Sequence, residues 1–97
     1  MSKIVKIENS PRKGKRYRVY LDNDIFFDFG QSGGRTYIDH LNKKKRDNYK
    51  KRHYSNSIEK HLIDTLTPSP ALFSYYLLWG QHGDIMRNID DLNKLLD

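Results

Sequence analysis

The densest chemistry in the sequence is NKKKRDNYKKRH, positions 42–53, where seven Lys and Arg side chains surround one aromatic residue, Tyr49. Such a run has three uses: it neutralises nucleic-acid phosphates, it meets carboxylates of an acidic protein surface, or it keeps a helix solvated. Helices that serve solubility alone mix both signs, because opposite charges four residues apart support each other. Here Asp47 is the one acid, so the run is read as a contact surface. Lys43, Lys44, Arg46, Lys50, Lys51 and Arg52 are its candidate contact residues, joined by Arg16 and Arg18 from the earlier cationic stretch Arg12, Lys13, Lys15, Arg16, Arg18. Tyr17, Tyr20, Tyr49 and Tyr54 lie among these cations and could stack on bases or pack a core.

Other chemistries are poorly served. The histidines, His40, His53, His61 and His82, lack zinc-ligand spacing, and the chain has no cysteine. Asp39-His40 sets a carboxylate beside an imidazole, yet no serine stands in a G-x-S-x-G context. GQSGG at 30–34 is glycine-rich, but three residues separate Gly30 from Gly34, and Arg35-Thr36 follows where a P-loop needs Lys before Ser or Thr. It is read as a flexible turn. The expectation is a non-enzyme with no cofactor, no metal and no small-molecule substrate.

The chain has 97 residues, room for one small domain. Twelve per cent aromatic content argues for a folded chain despite 31% charged residues. Charges at Lys3 and Lys6 in the N-terminal stretch Met1-Ser2-Lys3-Ile4-Val5-Lys6 do not suit a signal peptide, and the longest apolar run, 71–79, is too short to span a bilayer. No membrane insertion is expected. Charge is unevenly divided, with 15 Lys and Arg against 6 Asp and Glu in residues 1–54, and 3 against 6 in residues 55–97. An anionic partner is drawn to the first half.

The elements that must position these residues follow from pattern. Ile4, Val5 and Ile7 form a β-branched run, NSPRKG is a turn, and Tyr17, Val19 and Leu21 alternate with Arg16, Arg18 and Tyr20. DND at 22–24 turns the chain again into Ile25, Phe27 and Phe29, alternating with Phe26 and Asp28. Residues 1–34 therefore predict a three-stranded antiparallel meander. Residues 35–54 form the basic helical unit, with helical composition from Asp39 to about Tyr54; it is expected to rest on the sheet through Leu41 and Tyr49, beside the stems of Lys45 and Arg52. Residues 55–97 are the apolar helical part. Ile58, Leu62 and Ile63 mark a short helix, Ser69 and Pro70 open a helix carrying Leu72, Phe73, Tyr76, Leu77 and Trp79 up to Gly80, and Asp84 caps a last helix with Ile85, Ile89, Leu92 and Leu96. The fold class is α+β, a single domain over 1–97.

Two non-catalytic roles remain. An assembly component would use Tyr49, Phe73, Tyr76 and Trp79 as aromatic and apolar anchors. A nucleic-acid binder would meet the phosphate backbone without reading sequence, since no base-reading module is recognisable. Lys43 to Arg46, KKKR, also resembles a nuclear import signal.

Asp39-His40, Lys45-Arg46, Tyr49 and Arg52-His53, followed by TPSPALFSYYLLWG and DIMRNIDDLNKLL, resemble small basic proteins of nucleocytoplasmic large DNA viruses over about residues 27–96. The sequence departs from that pattern at Leu41-Asn42 and at Ser69-Pro70-Ala71. The resemblance implies a virion protein: a minor capsid component bridging neighbouring capsid subunits or, alternatively, a protein that condenses or attaches the viral genome. The implied partners are capsid proteins or DNA, and the implied places are the virion and the infected cell's cytoplasm or nucleus. It supplies no catalytic residues.

Overall fold

Alternating side chains build the sheet. In the computed structural model, which describes residues 3–96, β1 (Ile4–Asn9), β2 (Lys15–Leu21) and β3 (Phe26–Gln31) pair antiparallel in the order β1-β2-β3. Met1 and Ser2, the start of the charged N-terminal stretch, lie outside the described residues, as does Asp97. Register places Tyr17 opposite Phe29 and Val19 opposite Phe27, so one face is apolar. Val19 and Phe29 are fully enclosed. On the other face Arg18 lies between Glu8 and Asp28, and Tyr20 between Lys6 and Phe26.

β1 departs from strict alternation for a local reason. Its register shifts between Ile4 and Lys6, so Val5 is an extra residue and is left 64% exposed. This bulge lets Ile4 and Ile7, three positions apart, both join the core.

Helices complete the chain: α1 (Tyr37–His40), α2 (Lys43–Ser55), α3 (Ser57–Asp64), α4 (Pro70–Phe73) and α5 (Ile85–Leu96), with a π-helical segment at Ser74–Leu78. The basic region is not one continuous helix. Leu41 takes a left-handed φ of 56°, and Asn42 caps α2 by accepting the Lys45 N–H at 3.1 Å. Leu41 was expected to anchor the helix on the sheet; it sits instead in this break and is 59% exposed.

The apolar segment covers the sheet. Ser69 Oγ accepts the Leu72 N–H and Pro70 takes the first helical position, as predicted. Phe73 packs on Phe27 and Phe29 at centroid distances of 5.4 and 5.9 Å. Asp84 Oδ1 accepts the Met86 N–H at the start of α5, whose Ile89, Leu92 and Leu96 enter the same core. Asn93 closes the fold across the whole chain, accepting the Ile4 N–H at 2.9 Å and donating to the Ile4 carbonyl at 3.0 Å.

Asn88 of α5 secures the exit from the π-helical segment. Its Oδ1 accepts the His82 N–H, and its Nδ2 donates to the Leu77 and His82 carbonyls, all at 2.9 Å. Gly80 is required beside it, since a Cβ there would run into the Tyr76 carbonyl oxygen and the Asn88 side chain. Asn88→Ala should leave these enclosed backbone groups unpaired and cost about 2–4 kcal/mol, measured as a lower urea midpoint with an unchanged m-value.

Candidate functional site

The cations predicted to form one face divide into two sets. On α2, Arg46, Tyr49, Lys50 and His53 share one side by helical spacing. Tyr49 stacks on Trp79 at 4.2 Å with planes 10° apart, and His53 lies 4.1 Å from the Tyr49 ring. The Arg46 guanidinium sits 4.7 Å from the Tyr37 ring centre, and its Nη1 makes a long 3.4 Å hydrogen bond to the Gly80 carbonyl. Lys50 Nζ lies 5.1 Å from the Tyr75 ring. Thus α2 docks on α1 and the apolar segment rather than on the sheet, and through Arg46 and Lys50 rather than the stems of Lys45 and Arg52.

Titration follows this burial. Desolvation pushes the Tyr49 phenol well above its ordinary value. Burial, aided by Arg46, lowers the Lys50 ammonium. His53 is lowered by burial, opposed by Glu59, whose Oε2 lies 2.7 Å from Nδ1.

The sheet cations are also committed. Arg18 grips Asp28 with Nε to Oδ1 at 2.8 Å and Nη2 to Oδ2 at 3.1 Å, and its guanidinium covers the Phe26 ring at 4.0 Å. Arg16 grips Asp39 with Nη1 to Oδ2 at 2.8 Å and Nη2 to Oδ1 at 2.6 Å, and also donates to Thr36 Oγ1. Arg16, together with the Thr36 backbone N–H and hydroxyl, holds the Asp39 carboxyl far below the usual range. Arg16, Arg18, Arg46 and Lys50 are therefore internal fastenings, which corrects their assignment to the contact face.

What remains outward is Lys44 and Lys51 on the opposite side of α2, Lys45 and Arg52 on the flank beside Tyr49, and Lys43 at the first turn. Their side chains make no ion pair with described residues. Two of the proposed anchors are unavailable to a partner: Phe73 is fully enclosed and Trp79 is 8% exposed. Tyr49 and Tyr76 are half-buried. The tyrosines offered as stacking platforms have partners too, Tyr17 with Phe29, Tyr20 with Phe26, and Tyr54 with Tyr75.

Arg35 was missed as a contact residue, and so was the outward role of Lys45. Arg35, His40, Lys45, Asn48, Arg52 and Trp79 line a cavity of about 500 Å³. Lys45, Asn48 and Arg52 recur at helical spacing, a signal present in the sequence. Arg35, at the exit of the glycine turn, could be placed only by the fold. Among the described residues, no group of three or more His, Asp or Glu side chains could hold a metal ion. No helix there is long and apolar enough to cross a membrane.

Fold and face together define a small α+β protein that presents a cationic helix on an aromatic bed. Residues 5–53, the meander through α2, match a family model, and the chain belongs to that family, a family of unknown function (DUF5754). No curated protein and no solved structure matches it.

The Arg16–Asp39 pair fastens β2 to α1, and its contribution has a defined pH window. A carboxyl held low when folded stabilises fully above its unfolded value near 4 and loses that contribution as pH falls toward its folded value. Asp39→Asn should lower unfolding free energy at pH 7 by on the order of 1 kcal/mol. The gap to the unmodified protein should shrink steadily below about pH 4, as followed by urea unfolding across that range.

Proposed function

We propose that this chain is a non-catalytic protein that binds nucleic acid through its phosphate backbone, using the outward side of α2. The observation that carries this is the sorting of charge: the arginines near carboxylates are consumed inside the fold, while Lys43, Lys44, Lys45, Lys51, Arg52 and Arg35 stand free of ion pairs with described residues. A duplex backbone is recognised by such a charge array without base contacts. Because the tyrosines are occupied within the protein, backbone contact is favoured over stacking on unpaired bases. With the resemblance to virion proteins of large DNA viruses, the role becomes attachment or condensation of the packaged genome.

Bridging of capsid subunits is the second reading. It is favoured by Val5, Ile25 and Phe26, exposed apolar residues at the end of the sheet where β1 and β3 begin. A protein contact could use them in place of the buried Phe73 and Trp79.

Binding to random-sequence duplex DNA over a salt series separates the two. Engagement of four to six cations gives a log–log slope of about −4 to −5. Lys44→Gln or Lys51→Gln should each weaken binding by a similar small factor, while Phe26→Ser has no effect. Binding that vanishes near physiological salt would reject the backbone role and favour a protein partner.

A further inference from the structure

The cavity at the junction of α1 and α2 has more order than a charged surface needs. Arg35 enters from the loop after β3, His40 from the end of α1, Lys45 and Arg52 from positions two turns apart on α2, with Asn48 between them and Trp79 behind. Three cationic groups thus converge on one hollow with no carboxylate in its lining. Asp39, the nearest acid in sequence, is held by Arg16 and Thr36. Asp47 stands on another side of α2, beside Arg46.

His40 adds its imidazole to the wall. Its Nδ1 accepts the Asn42 N–H at 2.9 Å, so in the neutral ring the proton resides on Nε2. That Nε2 is enclosed and has no hydrogen-bond partner. A wall with three cations and no carboxylate suits an acceptor-rich anion. Burial and the fields of Lys45 and Arg35 also lower the His40 pKa, consistent with a positive potential in the hollow.

We infer that this cavity is a binding site for a phosphate monoester, and that the ligand is the terminal phosphate of a nucleic-acid strand. A monoester carries close to two negative charges at neutral pH and three free oxygens, which suits three converging cations and donors better than the single charge of a backbone diester. Concavity points the same way, because a strand end can enter a hollow that a continuous duplex backbone cannot follow. A neighbouring hollow of about 290 Å³ shares Arg35, Arg52 and Trp79 and is walled by Gly30 and Gly34 of the glycine turn. It leaves room for the rest of the terminal nucleotide. Lys44 and Lys51, on the adjoining outward face of α2, would then meet the following phosphates.

For a strand end as the source, this inference rests on the backbone-binding role proposed above, and the test separates their failures. Trp79 is the single tryptophan and lines the cavity, so its fluorescence reports occupancy directly. The full chain is titrated at near-physiological salt with two short duplexes of one sequence, one carrying 5′-phosphates and the other 5′-hydroxyls, and separately with adenosine monophosphate. The phosphorylated duplex should bind about five- to tenfold tighter. Arg35→Gln, at an exposed position with no ion pair among the described residues, should erase that preference, whereas Lys44→Gln weakens both duplexes equally.

Equal affinity for the two duplexes overturns the strand-end site and leaves backbone binding standing. If neither duplex binds but adenosine monophosphate shifts Trp79 emission in an Arg35-dependent way, the backbone role fails. The monoester site then stands with a free nucleotide as its source. Absence of any Trp79 response overturns the monoester site, and the salt-series binding then decides the backbone role by itself.

Discussion

The stack of Tyr49 on Trp79 is the contact on which the cationic face depends. α2 is thirteen residues long, a length at which isolated helices are marginal in water, and like charges placed three and four apart weaken it further. Propensity alone does not hold it. A ring pair of this kind contributes about 0.5–1.5 kcal/mol beyond the area it buries, and His53 extends the stack on α2's own side. Arg46 over Tyr37 and Lys50 beside Tyr75 complete the bed. Cations on the inner side are thereby made structural through aromatic faces, which spares the helix a carboxylate counter-surface that would cancel its field.

Elsewhere carboxylates do the neutralising. Asp28 and Asp39 absorb Arg18 and Arg16. In the C-terminal half Glu59 faces His53, Asp64 pairs with Lys60, and Asp91 with His82. Several acidic groups are consumed locally, so much of the excess positive charge is expressed on α2, where Asp47 is the one acid among seven cations, and at Arg35. A field concentrated this way steers an anion to one place on the surface instead of coating the molecule evenly.

Much of the architecture was legible in the sequence because it is set by neighbours in the chain. Period-two alternation with NSPRKG and DND turns gave the meander, and Ser69-Pro70 gave the opening of the apolar helix. The bulge at Val5 was not legible, since a strand pattern does not reveal an extra residue until its partner's register is known. The break at Leu41 was missed because leucine carries no turn signal; only Asn42 beside it did. The sorting of cations was hidden for the same reason on a larger scale. Whether an arginine is free or fastened depends on a carboxylate or carbonyl ten to thirty-four positions away, as with Arg18 and Asp28 or Arg46 and Gly80. Charge counts along the chain cannot separate the two.

The family match ends at His53, while the groups that hold α2 in place lie beyond it. Trp79 supplies the face for Tyr49, and Phe73 supplies the cover for Phe27 and Phe29. The apolar face of the meander is covered by the segment carrying Phe73, and Phe27 and Phe29 would otherwise stand in water. Residues 5–53 therefore carry the cations, but not the means of presenting them. In this chain TPSPALFSYYLLWG is the structural half of the site: it closes the core with one side of its π-helical turn and, through Trp79, sets both the angle of α2 and the back wall of the cavity between Arg35 and Arg52.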